Sequence, residues 1–481
     1  MANKLKQTVL DFITNDREYP VFAGLSVGCY LLLFYYSNNF DLANSWQQFL
    51  FFTCYFVAIP CVVLFLAAKI IARIPKPFSV RQLLFIGMLS FFAFFVLQFL
   101  PVQYSYKRLF LICFVAIILL SFKFSNYKII AVLLLLMSVF AAGNLAQVLY
   151  RNFSNDAAWN SQPDGILAAK FATRPNVYYI QTDGYSNAST LEKPPYSYDN
   201  SKFNAWLHDN GFIQYKNFRS NYNSTLKSNS SSFNMKHHFS KENVGFRNAA
   251  DFIINENAAL EVFRQNGYKS FFITEKPYLL MNRPEISFDY CNFSLSELPF
   301  LGDGWAFTKP ITTNIKQQVL RNAGTPNFFF IEKFDPGHIA VSKHYSKGAA
   351  VERILYLQKL EQANNWLRDI VGFLDKHDPN AIIIIGADHG GFVGFDHTGQ
   401  AIARISDQRL LRSVFGAALA VKWNDRRRSK YDVHLRTSVN MFRVLFAFLS
   451  DDEKYLKHLQ PDISYNEYSH DDPSKIYKAI E

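Results

Sequence analysis

The first 150 residues contain five long apolar runs separated by short polar connections. The runs cover roughly 20–36, 48–72, 82–100, 108–122 and 127–149. Each is close to the about 20 residues that a helix needs to cross the apolar core of a bilayer, although the fourth is short. No Asp or Glu occurs between Asp41 and Asp156, which a water-soluble domain of that length would not tolerate. The pattern predicts an all-α membrane domain of five transmembrane helices in residues 1–150, and not a cleavable signal peptide.

After residue 150 the long apolar runs give way to short ones. Residues 151–174 are polar and irregular, and we expect them to form a tether. Residues 175–481 then alternate β-rich runs with a helical period over residues 350–376. This alternation predicts a second domain, of the α/β class, with a largely parallel central sheet.

Polar residues follow three of the β-rich runs, which cover 176–182, 327–334 and 381–386. The residues concerned are Asp183, His338 and the pair Asp388 and His389. Because chemistry in parallel sheets gathers beyond the carboxyl ends of the strands, we expect these side chains to meet. Carboxylate and imidazole ligands together suit a divalent cation such as zinc or manganese.

The basic residues of the short connections predict the orientation of the spans. Lys and Arg lie before the first run and in the second and fourth connections, whereas the first connection has none. Only Lys107 and Arg108, in the third connection, favour the opposite orientation of the spans. The positive-inside rule therefore places the N-terminus in the cytoplasm and everything after about residue 150 outside it.

Most of the net charge of +11 belongs to the membrane region. Residues 1–150 hold 11 basic and 4 acidic side chains, whereas residues 151–481 hold 39 and 35. The second domain therefore lacks the strong basic excess of a nucleic-acid-binding domain. Its single cysteine, Cys291, excludes a disulfide within that domain, so a sizeable core must stabilise it.

Ordered motifs in the second domain resemble the alkaline phosphatase/sulfatase superfamily. They are NVYYIQTDGY, SNYNSTLKSNSSSFNM, IIIIGADHGG and SVNMFRVLFAFL, in this order along the chain. Five apolar runs followed by such a domain is also the layout of lipoteichoic acid synthases and phosphoethanolamine transferases. The resemblance covers the whole second domain, and the order and spacing of the motifs make it more specific than any single motif.

The resemblance implies a nucleophile in the second motif. Position matching puts it at Thr225, which would also be a metal ligand, with Ser224 and Ser228 as alternatives. A threonine hydroxyl needs a metal or a base to become a good nucleophile. The remaining metal ligands implied by the resemblance are Asp183, Asp388 and His389.

The resemblance also implies residues that contact the substrate. His338 is similar to the histidine that contacts the transferred phosphate or a second metal, and His397 is a weaker candidate, as is His344. Asp396 together with His397 could hold a second metal, although a surface pair is equally compatible with the sequence.

Two departures from the family pattern bear on the reaction. Lipoteichoic acid synthases and phosphoethanolamine transferases generally have Glu at the position of Asp183, where Asp is usual in sulfatases and phosphodiesterases. The motif around His338 is reduced to PGHIA. A sulfatase, however, makes formylglycine from a C/S-x-P-x-R sequence, and neither Pro nor Arg stands at that spacing near Thr225. Phosphorus chemistry with an unmodified threonine fits the sequence better.

The resemblance implies a metal-dependent phosphotransferase of the bacterial inner membrane with its catalytic domain in the periplasm. The donor would be a phospholipid that supplies phosphoethanolamine or phosphoglycerol, and the acceptor an envelope glycan or glycolipid. A hydrolase of the same superfamily, acting on phosphodiesters or sulfate esters, is the enzymatic alternative. A non-catalytic envelope scaffold is the alternative outside enzymology.

Overall fold

A computed structural model gives the structure of residues 2–74, 79–99, 106–154, 157–240, 249–468 and 476–481. The chain divides into two compact units, Met1–Ser154 and Asn155–Glu481. They are called the N-terminal unit and the C-terminal unit below.

All regular secondary structure in the described residues of the N-terminal unit is helical. Its helices are α1 (Ala2–Thr14), α2 (Pro20–Asn39), α3 (Trp46–Thr53), α4 (Ile59–Ile71), α5 (Val80–Phe99), α6 (Tyr106–Lys123) and α7 (Tyr127–Ser154). A π-helical stretch, Cys54–Ala58, joins α3 to α4 without a break. Pro20 and Pro60 lie in the first turns of α2 and α4, where the missing N–H of proline costs no helical hydrogen bond.

Four helical segments in the described residues are long and apolar enough to cross a membrane. They are Pro20–Leu42, Trp46–Ile71, Val80–Gln98 and Tyr127–Tyr150. The fourth predicted run forms α6, whose 18 residues include three cations, Lys107, Arg108 and Lys123. The predicted region of apolar helices is confirmed, with four clear spans and α6 as a shorter, more polar helix.

A polar cluster joins the beginnings of several of these helices. The fully buried Lys128 donates from Nζ to the main-chain oxygen of Asn15 at 2.7 Å and to its Oδ1 at 2.9 Å. Arg81 donates from Nε to Glu18 Oε1 at 2.8 Å and from Nη2 to the Asn15 main-chain oxygen at 3.0 Å. This Asn15 cluster (Asn15, Glu18, Arg81, Lys128) ties the connection between α1 and α2 to the starts of α5 and α7.

The C-terminal unit is built on a seven-stranded sheet and a separate hairpin. The strands are β1 (Val177–Thr182), β2 (Ile213–Gln214), β3 (Lys269–Thr274), β4 (Tyr290–Cys291), β5 (Asn327–Lys333), β6 (Ile382–Gly386), β7 (Leu419–Lys422), β8 (Ser464–Glu467) and β9 (Ile476–Ile480). The sheet order is β2-β7-β6-β1-β5-β3-β4, and β8 pairs with β9. Only β7 runs antiparallel to its neighbours in the sheet, so the predicted α/β domain with a largely parallel sheet is confirmed.

Helices and central strands together form one large apolar core. The helices are α8 (Ala188–Leu191), α9 (Ser201–Asp209), α10 (Thr225–Asn234), α11 (Asp251–Ile254), α12 (Ala258–Gln265), α13 (Thr312–Arg321), α14 (Ala349–His377), α15 (Gln408–Phe415) and α16 (Met441–Ser450). All residues of β1 and β6 are buried, as expected for parallel strands covered on both faces. Side chains of α12, α14 and α16 complete this core.

The segment expected to be a tether packs, from residue 157 onward, as part of the C-terminal unit. Ile166 is buried in the large core. Asp164 accepts a hydrogen bond from Nη1 of the fully buried Arg443 of α16 at 2.9 Å, and Gln162 accepts from Nη2 of the same arginine at 2.6 Å. The expectation of a tether over 151–174 is therefore corrected. Polar residues there pair with a buried arginine, a partner that lies far along the sequence and leaves no local signal.

Candidate metal centre

Three neighbouring strands bring the predicted site residues to one edge of the sheet. Asp183 follows β1, the pair Asp388 and His389 follows β6, and His338 lies in the loop after β5. These strands are adjacent in the order β6-β1-β5 and run parallel. Their carboxyl ends therefore meet, which is where parallel sheets place their chemistry.

Asp183, Asp388 and His389 form a compact buried group. One ligand-capable atom of each lies within 4.8 Å of the others. His389 Nε2 lies 3.6 Å from Asp183 Oδ1 and 3.3 Å from Asp388 Oδ2. In the described part of the chain this is the one group of three such side chains with this spacing. These three residues are called the Asp183 group.

Hydrogen bonds orient the donor atoms of the Asp183 group. His389 donates from Nδ1 to the Gly390 carbonyl oxygen at 2.9 Å, so neutral His389 keeps a lone pair on Nε2. Asp388 Oδ1 accepts from the Gly184 N–H at 3.2 Å, whereas Oδ2 is buried and has no hydrogen-bond partner in the described part of the chain. An unpaired buried carboxylate oxygen beside a second carboxylate and an imidazole lone pair fits a divalent cation.

The shifted pKa values of the Asp183 group also fit a bound divalent cation. Burial and the facing carboxylate of Asp388 raise the pKa of Asp183 to about 8. Burial alone would lower the pKa of His389, but Asp388 and Asp183 outweigh it and the net direction is upward. Two buried carboxylates at this distance repel each other, and a bound cation would remove that repulsion.

Glycines allow the loops that carry the site residues to approach closely. Gly184 has a φ of +65°, and a Cβ there would lie 2.1 Å from the carbonyl oxygen of Gly337. The Gly337 N–H in turn donates to the Asp183 main-chain oxygen at 2.9 Å. A side chain at position 184 would therefore push the loop of Asp183 away from the loop of His338.

Thr225 is the first residue of α10 and lies at the Asp183 group. Its Oγ1 is 3.5 Å from His389 Nε2, and the side chain is half-buried. Ser224 is the residue before the helix and does not cap it with its side chain. Ser228 is buried and donates to the Tyr222 carbonyl oxygen at 3.2 Å. Of the three hydroxyls considered from the sequence, Thr225 is thus the one with a contact to the Asp183 group.

His338 lies beside His389. The two imidazole centroids are 5.9 Å apart, and His338 donates from Nδ1 to the Ile339 carbonyl oxygen at 2.7 Å. Burial and the neighbouring His389 lower the pKa of His338 to about 4. Neutral His338 therefore presents its Nε2 lone pair as the free end of the ring.

The remaining candidates lie outside the Asp183 group. His397 is half-buried, and its Nδ1 is buried without a hydrogen-bond partner. Asp396 is exposed and accepts from the Ala349 N–H at 3.0 Å and from Gln400 Nε2 at 3.3 Å. Asp396 thus binds the start of α14, while His344 is exposed with its ring against Tyr345. Among the described residues, no second three-ligand group forms around Asp396 and His397.

One buried carboxylate near the site, Glu332, was not predicted from the sequence. Glu332, near the end of β5, is 2% exposed and accepts from Tyr278 OH at 2.9 Å, while its Oε2 is buried without a partner. Burial raises its pKa to about 8, against the hydrogen bond from Tyr278, which favours the charged form. A lone Glu inside the apolar run NFFFIEK is the signal that could have found it. Tyr278 has no comparable signal.

Solved structures with similar folds come from the families that the motifs resemble. One is the C-terminal periplasmic domain of EcEptC from Escherichia coli, with 13% identity, a TM-score of 0.40, and coverage of 64% of this chain and 93% of that one. Lipooligosaccharide phosphoethanolamine transferase A from Neisseria meningitidis has 11% identity, a TM-score of 0.43, and coverage of 89% and 95%. The lipoteichoic acid synthase LtaP from Listeria monocytogenes has 11% identity, a TM-score of 0.39, and coverage of 63% and 82%.

No family model and no curated protein matches the sequence. Likeness at these identities concerns the fold. Function is therefore argued from the side chains of the site.

Proposed function

We propose that this chain is a metal-dependent membrane phosphotransferase that moves a phospholipid headgroup through a phosphothreonine at Thr225. The observation that supports it best is the Thr225 hydroxyl, at the start of α10 and 3.5 Å from His389 Nε2 in the Asp183 group. A helix start, a hydroxyl and a buried cluster of metal-binding side chains together suit attack on an anionic phosphorus centre.

Asp183, Asp388 and His389 would hold the cation, and Thr225 would border it. Two carboxylates and one imidazole suit zinc or manganese. When bound, such a cation lowers the pKa of a neighbouring hydroxyl and offsets the charge of phosphoryl oxygens. Asp388 Oδ2, which has no hydrogen-bond partner among the described residues, is available to bind this cation.

In the first step, Thr225 Oγ1 releases its hydroxyl proton and forms a bond to the phosphorus of the phospholipid. The bond from phosphorus to the diacylglycerol oxygen breaks, and that oxygen takes up a proton as diacylglycerol leaves. The first N–H groups of α10 lack carbonyl partners within the helix, so they favour negative charge beside Thr225.

In the second step, an acceptor hydroxyl displaces Thr225 from phosphorus, and Thr225 Oγ1 regains a proton. His338 is suited to take the proton of the acceptor hydroxyl, because its Nδ1–H is already bonded to Ile339 and its Nε2 carries the lone pair. The acceptor is an envelope glycan or glycolipid. Water in its place would make the chain a phosphodiester hydrolase.

The N-terminal unit supports a lipid donor. Four apolar helices long enough to span a bilayer connect the enzyme to the compartment where phospholipids are available. With the cytoplasmic N-terminus that the basic residues predict and α6 as a fifth crossing, the site belongs to the outer side of a bacterial inner membrane. Phosphoethanolamine and phosphoglycerol are both suitable headgroups.

Intact-mass spectrometry of the full chain, incubated with phosphatidylethanolamine or phosphatidylglycerol, tests the proposal. We expect a headgroup adduct that maps to Thr225, is absent in Thr225→Ala and persists in Ser224→Ala. Lipid turnover without an adduct would favour direct hydrolysis by water. No metal and no turnover would favour a scaffold, and an adduct lost only in Ser224→Ala would move the nucleophile by one residue.

A further inference from the structure

Three aromatic side chains form a packed group on the β5 side of the metal centre. Tyr278 and Trp305 are stacked with centroids 4.8 Å apart and an interplanar angle of 26°. Phe334 packs edge-to-face on both, at 5.5 Å from Tyr278 and 5.4 Å from Trp305. These three residues are called the aromatic platform.

The platform is joined directly to the elements of the site. Tyr278 donates from its hydroxyl to Glu332 in β5. Phe334 follows Lys333, whose carbonyl oxygen accepts the Asp183 N–H at 2.9 Å, and it begins the loop that carries His338. The platform is therefore bonded to the strand and the loop that carry Glu332 and His338.

Hydrogen bonds and a close backbone contact hold the platform in place. Lys276 donates from Nζ to the Trp305 carbonyl oxygen at 2.7 Å, and the Phe334 N–H donates to Glu275 Oε2 at 3.0 Å. Gly304, with a φ of +81°, lies so close to Tyr278 that a Cβ would come within 3.0 Å of the Tyr278 N and Cα atoms. These contacts hold the loop of Trp305 against Tyr278.

The open side of the platform is the ring of Trp305. The residue is 44% exposed although Tyr278 covers one face of the indole and Phe334 packs at right angles beside both rings, so the exposed part includes the other face of the indole. Leaving a large apolar ring in water while fixing its position forgoes the free energy of its burial. A ligand that covers this face would recover it.

We propose that the aromatic platform binds a pyranose ring of the acceptor glycan, with the sugar lying flat on Trp305. A single open aromatic face matches the apolar face of a sugar ring. Polar groups that can bond the sugar hydroxyls lie beside the indole, since Lys276 Nζ contacts the Trp305 carbonyl oxygen and Asp303 Oδ1 accepts the Trp305 N–H at 3.1 Å. An acyl chain would instead need a continuous apolar groove. This inference rests on the proposed transferase function and assigns the residues that hold a sugar of its acceptor.

Binding of sugars to the full chain in phosphatidylcholine nanodiscs tests the platform without any reaction. The probes are the trimers of N-acetylglucosamine and of glucose, followed by ligand-observed NMR. We expect Trp305→Ala to weaken binding of the better trimer at least about tenfold, Trp305→Phe to restore part of it, and Phe307→Ala to leave it unchanged. Phe307 is the matched control, because it lies two residues away and is similarly exposed, at 40%.

The same variants separate this inference from the proposed function. With phosphatidylethanolamine present, Trp305→Ala should still form the adduct on Thr225 but pass it on to the trimer at least about tenfold more slowly. Equal sugar binding and equal transfer in Trp305→Ala and the wild type would overturn the platform and leave the function standing. Absence of the adduct in the wild type would overturn the function, and failure of both trimers to bind the wild type would overturn the platform alone.

Discussion

Both units bury charged side chains, but they do so in opposite ways. In the Asn15 cluster of the N-terminal unit, each cation faces an anion or a carbonyl oxygen: Arg81 pairs with Glu18, and Lys128 with Asn15. In the Asp183 group of the C-terminal unit, two carboxylates lie near the same imidazole nitrogen, and Asp388 Oδ2 has no hydrogen-bond partner among the described residues.

The difference distinguishes a structural polar cluster from a functional one. Opposite charges and carbonyl oxygens compensate each other within the fold, so the Asn15 cluster needs nothing from outside. Like charges buried together are costly unless a cation joins them. The Asp183 group is therefore expected to lose its function with its ligand, whereas the Asn15 cluster is expected to affect only stability.

The largest effect is expected from removing a carboxylate of the Asp183 group. Asp388→Asn should lower metal content severely and reduce turnover by about 1,000-fold or more, because both the cation and its charge stabilisation are lost. Elemental analysis and the adduct assay measure this. Asp396→Asn is the matched control, since Asp396 is exposed and binds the start of α14. Full metal occupancy in Asp388→Asn would contradict the assignment of the Asp183 group.

A smaller effect is expected at His338, which lies beside the group and outside it. His338→Gln should reduce transfer to the acceptor by roughly 10² to 10⁴-fold while metal content stays unchanged, because a proton acceptor is removed and no proposed ligand. The adduct on Thr225 should accumulate in this variant. His344→Gln, at an exposed histidine, should behave like the wild type. Loss of metal in His338→Gln would instead make His338 a ligand.

Much of this comparison could be predicted from the sequence. The apolar runs indicated the membrane helices, because hydrophobicity sustained over a span is a local signal. The strand-final positions of Asp183, Asp388 and His389 predicted that they would meet, because parallel strands bring their carboxyl ends together. The roles of these residues and of Thr225 remain predictions.

What could not be predicted depends on partners far apart in the chain. Arg443 binds residues of the segment expected to be a tether, although roughly 280 positions separate them. Lys128 lies near the start of α7, and nothing nearby in sequence shows that Asn15 accepts its hydrogen bonds. Trp305 reaches Tyr278 only through the fold of the loop around Gly304.

The repulsion within the Asp183 group should be visible as a pH dependence of stability in the metal-free protein. The folded-state pKa values of Asp183 and Glu332 are raised to about 8, whereas carboxyl groups in an unfolded chain titrate near about 4. Between these values the folded state holds protons that the unfolded state has released. The free energy of unfolding of the C-terminal unit should therefore fall as the pH rises from about 4 to about 8.

Thermal unfolding of the full chain in a chelator, followed across this pH range, measures the effect. Asp183→Asn should flatten the decline, and added zinc should reverse it because the cation binds the ionised carboxylates. Asp209→Asn, at an exposed carboxylate of α9, should leave the slope as it is. If the metal-free protein became more stable toward pH 8, the inferred repulsion between the buried carboxylates would be wrong.

The smallest effect on catalysis is expected in the Asn15 cluster. Lys128→Met removes a fully buried cation that donates twice to Asn15, so it should destabilise the N-terminal unit by about 2 kcal/mol. That corresponds to a roughly 30-fold increase in the open population. Thiol labelling of Cys29 and Cys61, both partly buried in α2 and α4, should accelerate accordingly. Lys123→Met, at an exposed lysine of α6, is the control.

Adduct formation on Thr225 should stay within about twofold of the wild type in both variants, since neither residue belongs to the Asp183 group. If Lys128→Met abolished the adduct while labelling of both cysteines stayed slow, the cluster would serve the reaction and the contrast between the two units would fail.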